Sequence, residues 1–409
     1  MKNRRLLTSA MICVTLASLL LSTTFARSEP PVLQGIDRLL TEPYIQKIKG
    51  KKFAIVANSA SLDRQGRSTV QLLQQVPQSQ VVAIFTPEHG FNLSEDDKVA
   101  DDRGAAVPIY SLYGPRKAPT ADQLAGVDVI VFDLETVGLR YYTYITTLAL
   151  VMKAAQQHNL EIIVLDRVNP LGGKQVSGAL LNEKYQGNFA GYYPLPTRYG
   201  LTMGELARFY NQYFGIGAKL SVIPLKNWRR DALFVDTGLS WHAPSPALQT
   251  FEQAYLYALF GPFESLQLAV GRSQRNTEAF KRFGAPWMTE AEADVLVKRL
   301  QKLQLGGLDF KRVAWVPDRA KYQDQLCNGF EVKVIALKKI AMMRSFIEVA
   351  KVLHGQFPEK LRFAGMDGMV GDERYRQAIE AQQPTAEIIK QMNAGNAAFI
   401  RERKAILLY

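Results

Sequence analysis

The chain has 409 residues, of which 47% are apolar and 22% charged, so it is too long for one small core and too apolar for a disordered protein. We therefore predict two folded domains. The formal net charge of +12 favours an anionic partner, either cell-wall glycan or lipid headgroups. The sequence contains no zinc-finger or RNA-binding motif that would indicate nucleic acid.

The N-terminal residues have the pattern of a secretory leader. Lys2, Arg4 and Arg5 precede the apolar run LLTSAMICVTLASLLLSTTFA, which ends in small residues and predicts a signal peptide at residues 1–26. The same run is barely long enough to span a bilayer, so an uncleaved anchor is the alternative. After removal of the leader we expect a secreted, periplasmic protein without stable membrane insertion. Cys327 then has no disulfide partner, and we predict a buried thiol.

The first half of the chain alternates strands and helices. Near-continuous apolar runs predict buried strands in KKFAIVANSA, VVAIFTPEHG, VDVIVFDLETVG and LEIIVLDRVNPLGG, with helices in STVQLLQQVP and TTLALVMKAAQQHN. LTMGELARFYNQYFG predicts an amphipathic helix with Thr202 as N-cap and Glu205 three positions on, and KLSVIPLKNW predicts a further strand. Such repeats require right-handed crossovers. Residues 33–244 are therefore predicted to form a Rossmann-like, doubly wound, mostly parallel α/β domain.

The pattern changes after the irregular stretch DTGLSWHAPSPALQ. Beyond it we predict further helices, a strand in GFEVKVIAL, the helix KIAMMRSFIEVAKVLHG and a helical tail that reaches Tyr409. Residues 245–409 are therefore predicted to form a smaller, mixed α/β C-terminal domain.

Polar side chains stand where each of the four predicted strands of the first half ends. Ligands of open α/β sheets bind beyond the carboxyl ends of the strands, so we expect these groups to meet in one crevice. The alternative is that each of them caps a helix or closes a turn. The residues concerned are Asn58, Ser59, Glu88, His89, Asp133, Glu135, Asp166, Arg167 and Asn169.

The usual cofactor motifs are missing from the sequence. No G-x-G-x-x-G follows the first strand, so the sheet is not predicted to bind a dinucleotide. A P-loop, H-E-x-x-H and G-x-S-x-G are also absent, and the 4 histidines lie far apart. We therefore expect no cofactor and no metal, and acid–base chemistry by carboxylates.

Glycoside cleavage is one reaction that carboxylates at these strand ends could serve. It needs an acid to protonate the leaving oxygen and usually a second carboxylate. Glu88 is the candidate acid because it follows directly on an apolar strand. Asp133 or Glu135 is the candidate second carboxylate, and Asp166 could also supply it.

Sugar binding also needs flat aromatic faces, and an acid substituent needs a cation. The stretch GLRYYTY offers Arg140 together with Tyr141 and Tyr142, and PLPTRYG offers Arg198 and Tyr199. An arginine fork matches a carboxylate with two parallel hydrogen bonds. The alternative for the tyrosines is ordinary packing in the core or at its rim.

A series of longer motifs runs in order from about Leu33 to Tyr409. It consists of FTPEHGF, PIYSLYGPRKAPT, VDVIVFDLETVGLRYYTYITT, VLDRVNPLGG, PLPTRYGLTMGELARFYN, DTGLSWHAPSP, the pair Gly271–Arg272, and FGAPW. Together these motifs resemble the exo-acting β-N-acetylmuramidases of the NamZ type, a family long described as a domain of unknown function.

This resemblance implies a fold, an activity and a set of site residues. Such enzymes pair a Rossmann-like N-terminal domain with a smaller C-terminal one, and their site lies in the cleft between the two. They release N-acetylmuramic acid from the non-reducing ends of peptidoglycan fragments, and the glutamate of E-H-G, here Glu88, would be the catalytic acid. The matching positions and the tyrosines above give the predicted substrate-binding residues: His89, Arg140, Tyr141, Tyr142, Asp166, Asn169, Arg198, Glu264 and Arg272.

The sequence departs from the family pattern at Val168, which replaces a proline, and at three places closer to the predicted site. Asn92 follows E-H-G-F where the family has arginine, with a shortened loop after it, and Thr136 stands where a second aspartate is usual. The stretch FESLQLAVGRSQRNTEAF keeps Glu264 and Arg272 but has an altered Gly271–Arg275 loop. Two alternatives to a muramidase therefore stay open. One is a muropeptide-binding protein of the same fold that no longer cleaves, and the other is a hydrolase for another anionic sugar.

Overall fold

The structure is a computed structural model that describes residues 30–93 and 100–409. The predicted leader, residues 1–26, and most of the shortened loop after Asn92 lie outside these residues. No helix in the described ranges is both long enough and apolar enough to cross a bilayer. Residues 31–409 form one compact unit, and the domain boundary at residue 244 stays a prediction.

The elements of the first half follow the predicted alternation of strands and helices. They are α1 (Gly35–Leu39), β1 (Lys52–Val56), α2 (Thr69–Gln74), β2 (Gln80–Thr86), β3 (Ile109–Ser111), β4 (Val129–Phe132), α3 (Tyr144–Gln157), β5 (Glu161–Leu165), β6 (Ser177–Leu180), β7 (Pro196–Arg198), α4 (Met203–Tyr213) and β8 (Lys219–Ile223).

In the described residues a six-stranded parallel sheet has the order β3-β2-β1-β4-β5-β8. β1 is central, and Phe53 pairs with Val81 of β2 on one side and Val129 of β4 on the other. The strand order turns back at β1, so a topological switch point lies between β1 and β4. The predicted Rossmann-like, doubly wound sheet is confirmed.

Both faces of this sheet are covered, which explains the unbroken apolar runs of its strands. Phe53 and Ile55 of β1 belong to the core on the side of α1 and α2. Ala54 and Val56 point the opposite way, into a larger core that contains α3, α4 and the C-terminal half. Alternate residues of one strand therefore serve two cores.

The C-terminal half is helical with one small sheet, as predicted. In the described residues β10 (Leu308–Trp315), β11 (Cys327–Val334) and β9 (Arg282–Ala285) form an antiparallel sheet. Cys327 at the start of β11 is a buried free thiol, which confirms that prediction. The elements are α5 (Phe251–Phe260), β9 (Arg282–Ala285), α6 (Glu290–Lys302), β10 (Leu308–Trp315), β11 (Cys327–Val334), α7 (Met342–Gln356), α8 (Asp367–Val370), α9 (Glu373–Glu380), α10 (Thr385–Ala394) and α11 (Ala397–Arg403).

Candidate active site

A cavity of about 330 Å³ lies where loops from both halves of the chain meet. The loop after β2, the residues just before α3, the C-terminal part of α5 and the turn that follows α5 all contribute to its walls. The predicted site residues that line it are Glu88, His89, Tyr141, Tyr142, Glu264 and Arg272.

Glu88 reaches this cavity because the chain turns sharply just after β2. His89 and Gly90 have φ values of 72° and 69°, and the Gly90 amide donates to the Pro87 carbonyl at 3.2 Å. A non-glycine residue in the left-handed region is uncommon, so His89 is held there by its surroundings. The described residues continue as a turn, so Glu88 does not cap a helix.

Thr143 and Tyr144, at the start of α3, contact Glu88 and hold it in place. The Thr143 hydroxyl donates to the Glu88 carboxylate at 2.6 Å, between Oγ1 and Oε2. The Tyr144 hydroxyl lies 3.3 Å from the Glu88 carbonyl oxygen and donates to the Pro244 carbonyl at 2.6 Å. Glu88 is half-buried, with its backbone and one carboxylate oxygen fixed by α3. A positioned carboxyl group of this kind suits proton transfer.

Glu264 is the second carboxylate in the lining, and it belongs to a short 3₁₀ helix, Gly261–Ser265, that follows α5. Burial raises the pKa of the Tyr257 hydroxyl, and the negative charges of Glu264 and Glu88 raise this pKa further. Glu88, Tyr257 and Glu264 all line the same cavity. The positive charge of Arg272 lowers the pKa of the same hydroxyl.

Tyrosines form much of the remaining wall. Tyr141 donates from its hydroxyl to the Tyr257 carbonyl at 3.0 Å, and the two rings meet edge to face with centroids 5.3 Å apart. Burial raises the pKa values of the Tyr141 and Tyr142 hydroxyls, so both are neutral donors at ordinary pH.

Several lining residues were not identified from the sequence. Tyr113 and Phe189 form an aromatic pair with ring centroids 5.4 Å apart, and Lys117 lies over the Phe189 ring at 5.3 Å. The two rings are tilted by 53° to each other, and both border the cavity, where an aromatic face can pack against a sugar ring. Tyr113 lies within the motif PIYSLYGPRKAPT, which was the available signal, whereas Phe189 and Tyr257 carried none.

Asp133 and Glu135, the predicted second carboxylates, are not among the residues that line the cavity. The Asp133 carboxylate accepts two hydrogen bonds from Arg167, at 2.6 and 2.7 Å, and Glu135 accepts one from the same guanidinium at 2.8 Å. Burial alone would lower the pKa of Arg167, but the negative charges of Asp133 and Glu135 have the larger effect and raise this pKa. Asp133 and Arg167 are fully buried. This ion-pair cluster lies at the strand ends near the switch point.

Arg140 also lies outside the lining, in contrast to its predicted role with the substrate. Its buried guanidinium donates to three backbone carbonyls, those of Ala179 at 2.7 Å, Leu195 at 3.0 Å and Met369 at 2.6 Å. Burial lowers the pKa of Arg140 to about 10. The side chain ties the β6–β7 hairpin to α8.

Asp166 and Asn169 satisfy backbone groups, as the capping alternative predicts for polar strand ends. Asp166 accepts from the Gly204 amide at 2.6 Å, next to the Thr202–Glu205 capping box that begins α4 as predicted. Asn169 donates to the Leu201 carbonyl at 2.8 Å. Neither residue is in the cavity lining.

Arg198 is likewise outside the lining. It is buried, and it donates to the Gln175 side chain at 2.7 Å and to the Leu171 carbonyl. Burial lowers the pKa of Arg198 to about 10. These contacts join Arg198 to the segment between β5 and β6.

The family departures can also be placed. Thr136 is buried, and its hydroxyl bonds the Tyr199 hydroxyl at 2.7 Å, away from the cavity lining. Asn92 is exposed in the turn after Glu88. The departure at Thr136 therefore lies outside the cavity lining and does not change which carboxylates line the cavity. Within residues 30–93 and 100–409, no three His, Cys, Asp or Glu side chains come together as a metal site.

Two glutamates, a cation and several tyrosines line one cavity, and these are the kinds of group that glycoside cleavage by carboxylates requires. The N-terminal model of the exo-β-N-acetylmuramidase NamZ family matches residues 53–252, and the C-terminal model matches residues 255–409. The chain belongs to this family, which confirms the resemblance and makes it a glycoside hydrolase.

Known proteins agree with this assignment. The chain is 35% identical over 388 residues to a peptidoglycan β-N-acetylmuramidase NamZ of Bacillus subtilis strain 168, covering 93% of this chain and 92% of that protein. A crystal structure of a DUF1343 family protein from Bacteroides fragilis has a TM-score of 0.82 at 28% identity, and it covers 93% of this chain and 99% of its own. A second such structure from the same organism has a TM-score of 0.76 at 25% identity, with the same coverage.

Proposed function

We propose that this chain is an exported exo-acting β-N-acetylmuramidase, which releases N-acetylmuramic acid from the non-reducing ends of peptidoglycan fragments. One observation carries the proposal: Glu88 and Glu264 line the same cavity, together with Arg272. The name of the Bacillus subtilis relative supports the substrate. The leader pattern at residues 1–26 supports export to the periplasm.

In this proposal Glu88 is the general acid. It protonates the glycosidic oxygen as the bond to the leaving saccharide breaks. Thr143 occupies one carboxylate oxygen of Glu88, at 2.6 Å, which leaves the other oxygen for the substrate. The turn at His89 and Gly90 keeps the side chain at the cavity wall.

We assign the second carboxylate to Glu264 in preference to Asp133 or Glu135. Those two side chains neutralise Arg167 outside the cavity lining. Glu264 lines the cavity and acts on Tyr257 together with Glu88. It is therefore the carboxylate that can serve as base or nucleophile on the sugar.

The remaining lining residues would bind the sugar. Arg272 is the cation for the lactyl carboxylate of muramic acid, because a guanidinium matches a carboxylate with parallel hydrogen bonds. The Tyr113–Phe189 pair offers a stacking surface for the ring. A volume of about 330 Å³ lies near the lower end for ligand pockets, which fits one saccharide unit and an exo mode of cleavage.

Wall digests with muramic acid at the non-reducing end test the proposal. We expect the purified protein to release free N-acetylmuramic acid, detected by mass spectrometry. Glu88→Gln should release it at least about 100-fold more slowly, because the general acid is lost. Calorimetry should show that the variant still binds the sugar.

Other outcomes would contradict the proposal in different ways. Binding of muramic acid glycosides without any release by the unmodified protein would indicate a muropeptide-binding protein. Release of a different acidic sugar would indicate another substrate, and equal rates for Glu88→Gln would remove Glu88 from the mechanism.

A further inference from the structure

The Tyr142 hydroxyl is a buried donor in the wall of the cavity that contains Glu88. Tyr142 lines this cavity and is only 5% exposed, and among the described residues its hydroxyl has no hydrogen-bond partner. Burial raises the pKa of this hydroxyl, Tyr144 raises it further and Ser245 lowers it, but neither neighbour meets the geometry of a hydrogen bond with it. A buried hydroxyl without a partner is costly, so a ligand that supplies an acceptor gains affinity from it.

Other buried polar groups do not share this position. The remaining buried side-chain atoms without a partner in the described residues belong to side chains outside the cavity lining. Tyr141 lines the same cavity, but its hydroxyl donates to the Tyr257 carbonyl at 3.0 Å. Of the two adjacent tyrosines, Tyr142 is therefore the one whose hydroxyl is left for a ligand.

The start of α3 fixes Tyr142 relative to Glu88. Thr143, the next residue, donates to the Glu88 carboxylate at 2.6 Å. Tyr144 packs its ring against that of Tyr142, with centroids 4.6 Å apart, and donates to the Pro244 carbonyl at 2.6 Å. Three consecutive residues therefore hold the candidate acid, the Tyr142 ring and the segment that begins at Pro244 in one arrangement.

The segment after Pro244 supplies an apolar surface. The Leu248 amide donates to the Ser245 carbonyl at 3.1 Å and closes a turn. Ser245, Ala247 and Leu248 are buried, and all three line the cavity. Because Ser245 is close enough to the Tyr142 hydroxyl to lower its pKa, this turn and the hydroxyl belong to one part of the wall. A matching ligand group has an acceptor oxygen next to a small apolar part.

We propose that this part of the wall binds the 2-acetamido group of muramic acid, whose carbonyl oxygen accepts from the Tyr142 hydroxyl while its methyl group packs against Ala247 and Leu248. A ring hydroxyl of the sugar has no methyl group, and a carboxylate needs a cation, such as Arg272, more than a neutral hydroxyl. The inference rests on the proposed function and adds a specificity to it: N-acetylated muramic acid is preferred over muramic acid with a free amine.

The test measures binding in a Glu88→Gln background, so that it does not depend on turnover. The ligands are the methyl β-glycosides of N-acetylmuramic acid, of muramic acid with a free amine, and of N-acetylglucosamine, which lacks the lactyl group. We expect Tyr142→Phe to weaken the Kd about tenfold for both N-acetylated ligands, because the acetamido carbonyl loses its donor. The Kd for the free-amine ligand should change less than about twofold.

A matched control is Tyr255→Phe, which removes a hydroxyl from a tyrosine that is equally buried, at 4% exposed, but lies outside this cavity. It should leave every Kd unchanged. Tyr142→Phe should not lower the Tm of the free protein, because the hydroxyl has no protein partner to lose. A lower Tm for this variant would indicate a structural role for the hydroxyl and would overturn the inference.

The three ligands also distinguish the other outcomes. Equal weakening for all three, or no weakening for any, would overturn the inference, and so would a loss confined to the two ligands that carry a lactyl group. Absence of sugar release from wall digests by the unmodified protein, with the Tyr142 pattern intact, would overturn the proposed cleavage alone. Absence of both release and binding would overturn the two proposals together.

Discussion

At the scale of single residues, the position of Glu88 follows from its local sequence. β2 ends at Thr86, and the left-handed conformations of His89 and Gly90 turn the chain away from the strand axis. Thr143 then fixes one carboxylate oxygen at 2.6 Å. The sequence P-E-H-G directly after β2 therefore places its glutamate beyond the carboxyl end of the strand.

Glu264 and Asp133 should respond differently to loss of their charge. We expect Glu264→Gln to lower kcat on a chromogenic muramic acid glycoside at least about 100-fold, because the second carboxylate takes part in the reaction. Asp133→Asn should instead lower the free energy of unfolding by about 3 kcal/mol, because it leaves Arg167 buried without its main partner. Enzyme kinetics and denaturant unfolding on both variants measure the two effects.

One outcome would contradict the assignment of Glu264 as the second carboxylate. If Asp133→Asn abolished turnover in folded protein while Glu264→Gln remained active, the second carboxylate would be Asp133, as first predicted from the sequence. Glu135→Gln is the additional control, since Glu135 shares Arg167 with Asp133 and does not line the cavity.

The sequence identified single candidates better than it identified their partners. Glu88 could be singled out because an apolar strand and a polar turn stand next to each other in the chain. The proximity of Glu264 could not, since it depends on how the turn after α5 packs against the loop after β2. Arg140 looked like a ligand for a carboxylate, and only the fold reveals the three carbonyls that occupy it.

At the scale of elements, polar strand ends do more than one task. The end of β2 reaches the cavity, whereas the end of β5 anchors α4 through Asp166 and the Gly204 amide. The end of β4 joins the Arg167 cluster. Sequence predicts that such ends lie on one edge of the sheet, but side-chain partners decide which of them remains available for a ligand.

Asp166 should make stability depend on pH. Burial raises its pKa from 3.8 to about 7 in the folded protein, so the folded state binds this proton more tightly than the unfolded state does. The stability that Asp166 contributes is complete below about pH 4 and is lost as the pH rises through about 7. We expect Asp166→Asn to flatten this decline in denaturant unfolding curves. An unchanged pH dependence in the variant would contradict the assignment.

The strands that the sequence did not predict lack a clear sequence pattern for physical reasons. β3, β6, β7 and β9 are only 3 or 4 residues long, too short for a periodic pattern. β10 is longer, but several of its residues are exposed, so it lacks the apolar run of the central strands. The buried strands β1, β2, β4 and β5 were predicted because both of their faces are covered.

At the scale of the whole molecule, the C-terminal tail contacts loops of the first half. The Tyr409 hydroxyl donates to Asp166 at 2.7 Å, and Arg403 donates to the Gly200 carbonyl at 2.9 Å. The helical tail thus packs on the first half, a contact that the predicted order of elements did not reveal. The cavity is also lined from both halves of the chain, by Glu88 after β2 and by Glu264 and Arg272 after α5.

The most direct test of this arrangement is a crystal structure of Glu88→Gln with a disaccharide that carries muramic acid at its non-reducing end. We expect the muramic acid in the cavity of about 330 Å³, its lactyl carboxylate on Arg272, and its glycosidic oxygen facing position 88 with Glu264 beside the sugar. A sugar bound elsewhere, against Arg140, Arg198 or the Arg167 cluster, would contradict the account.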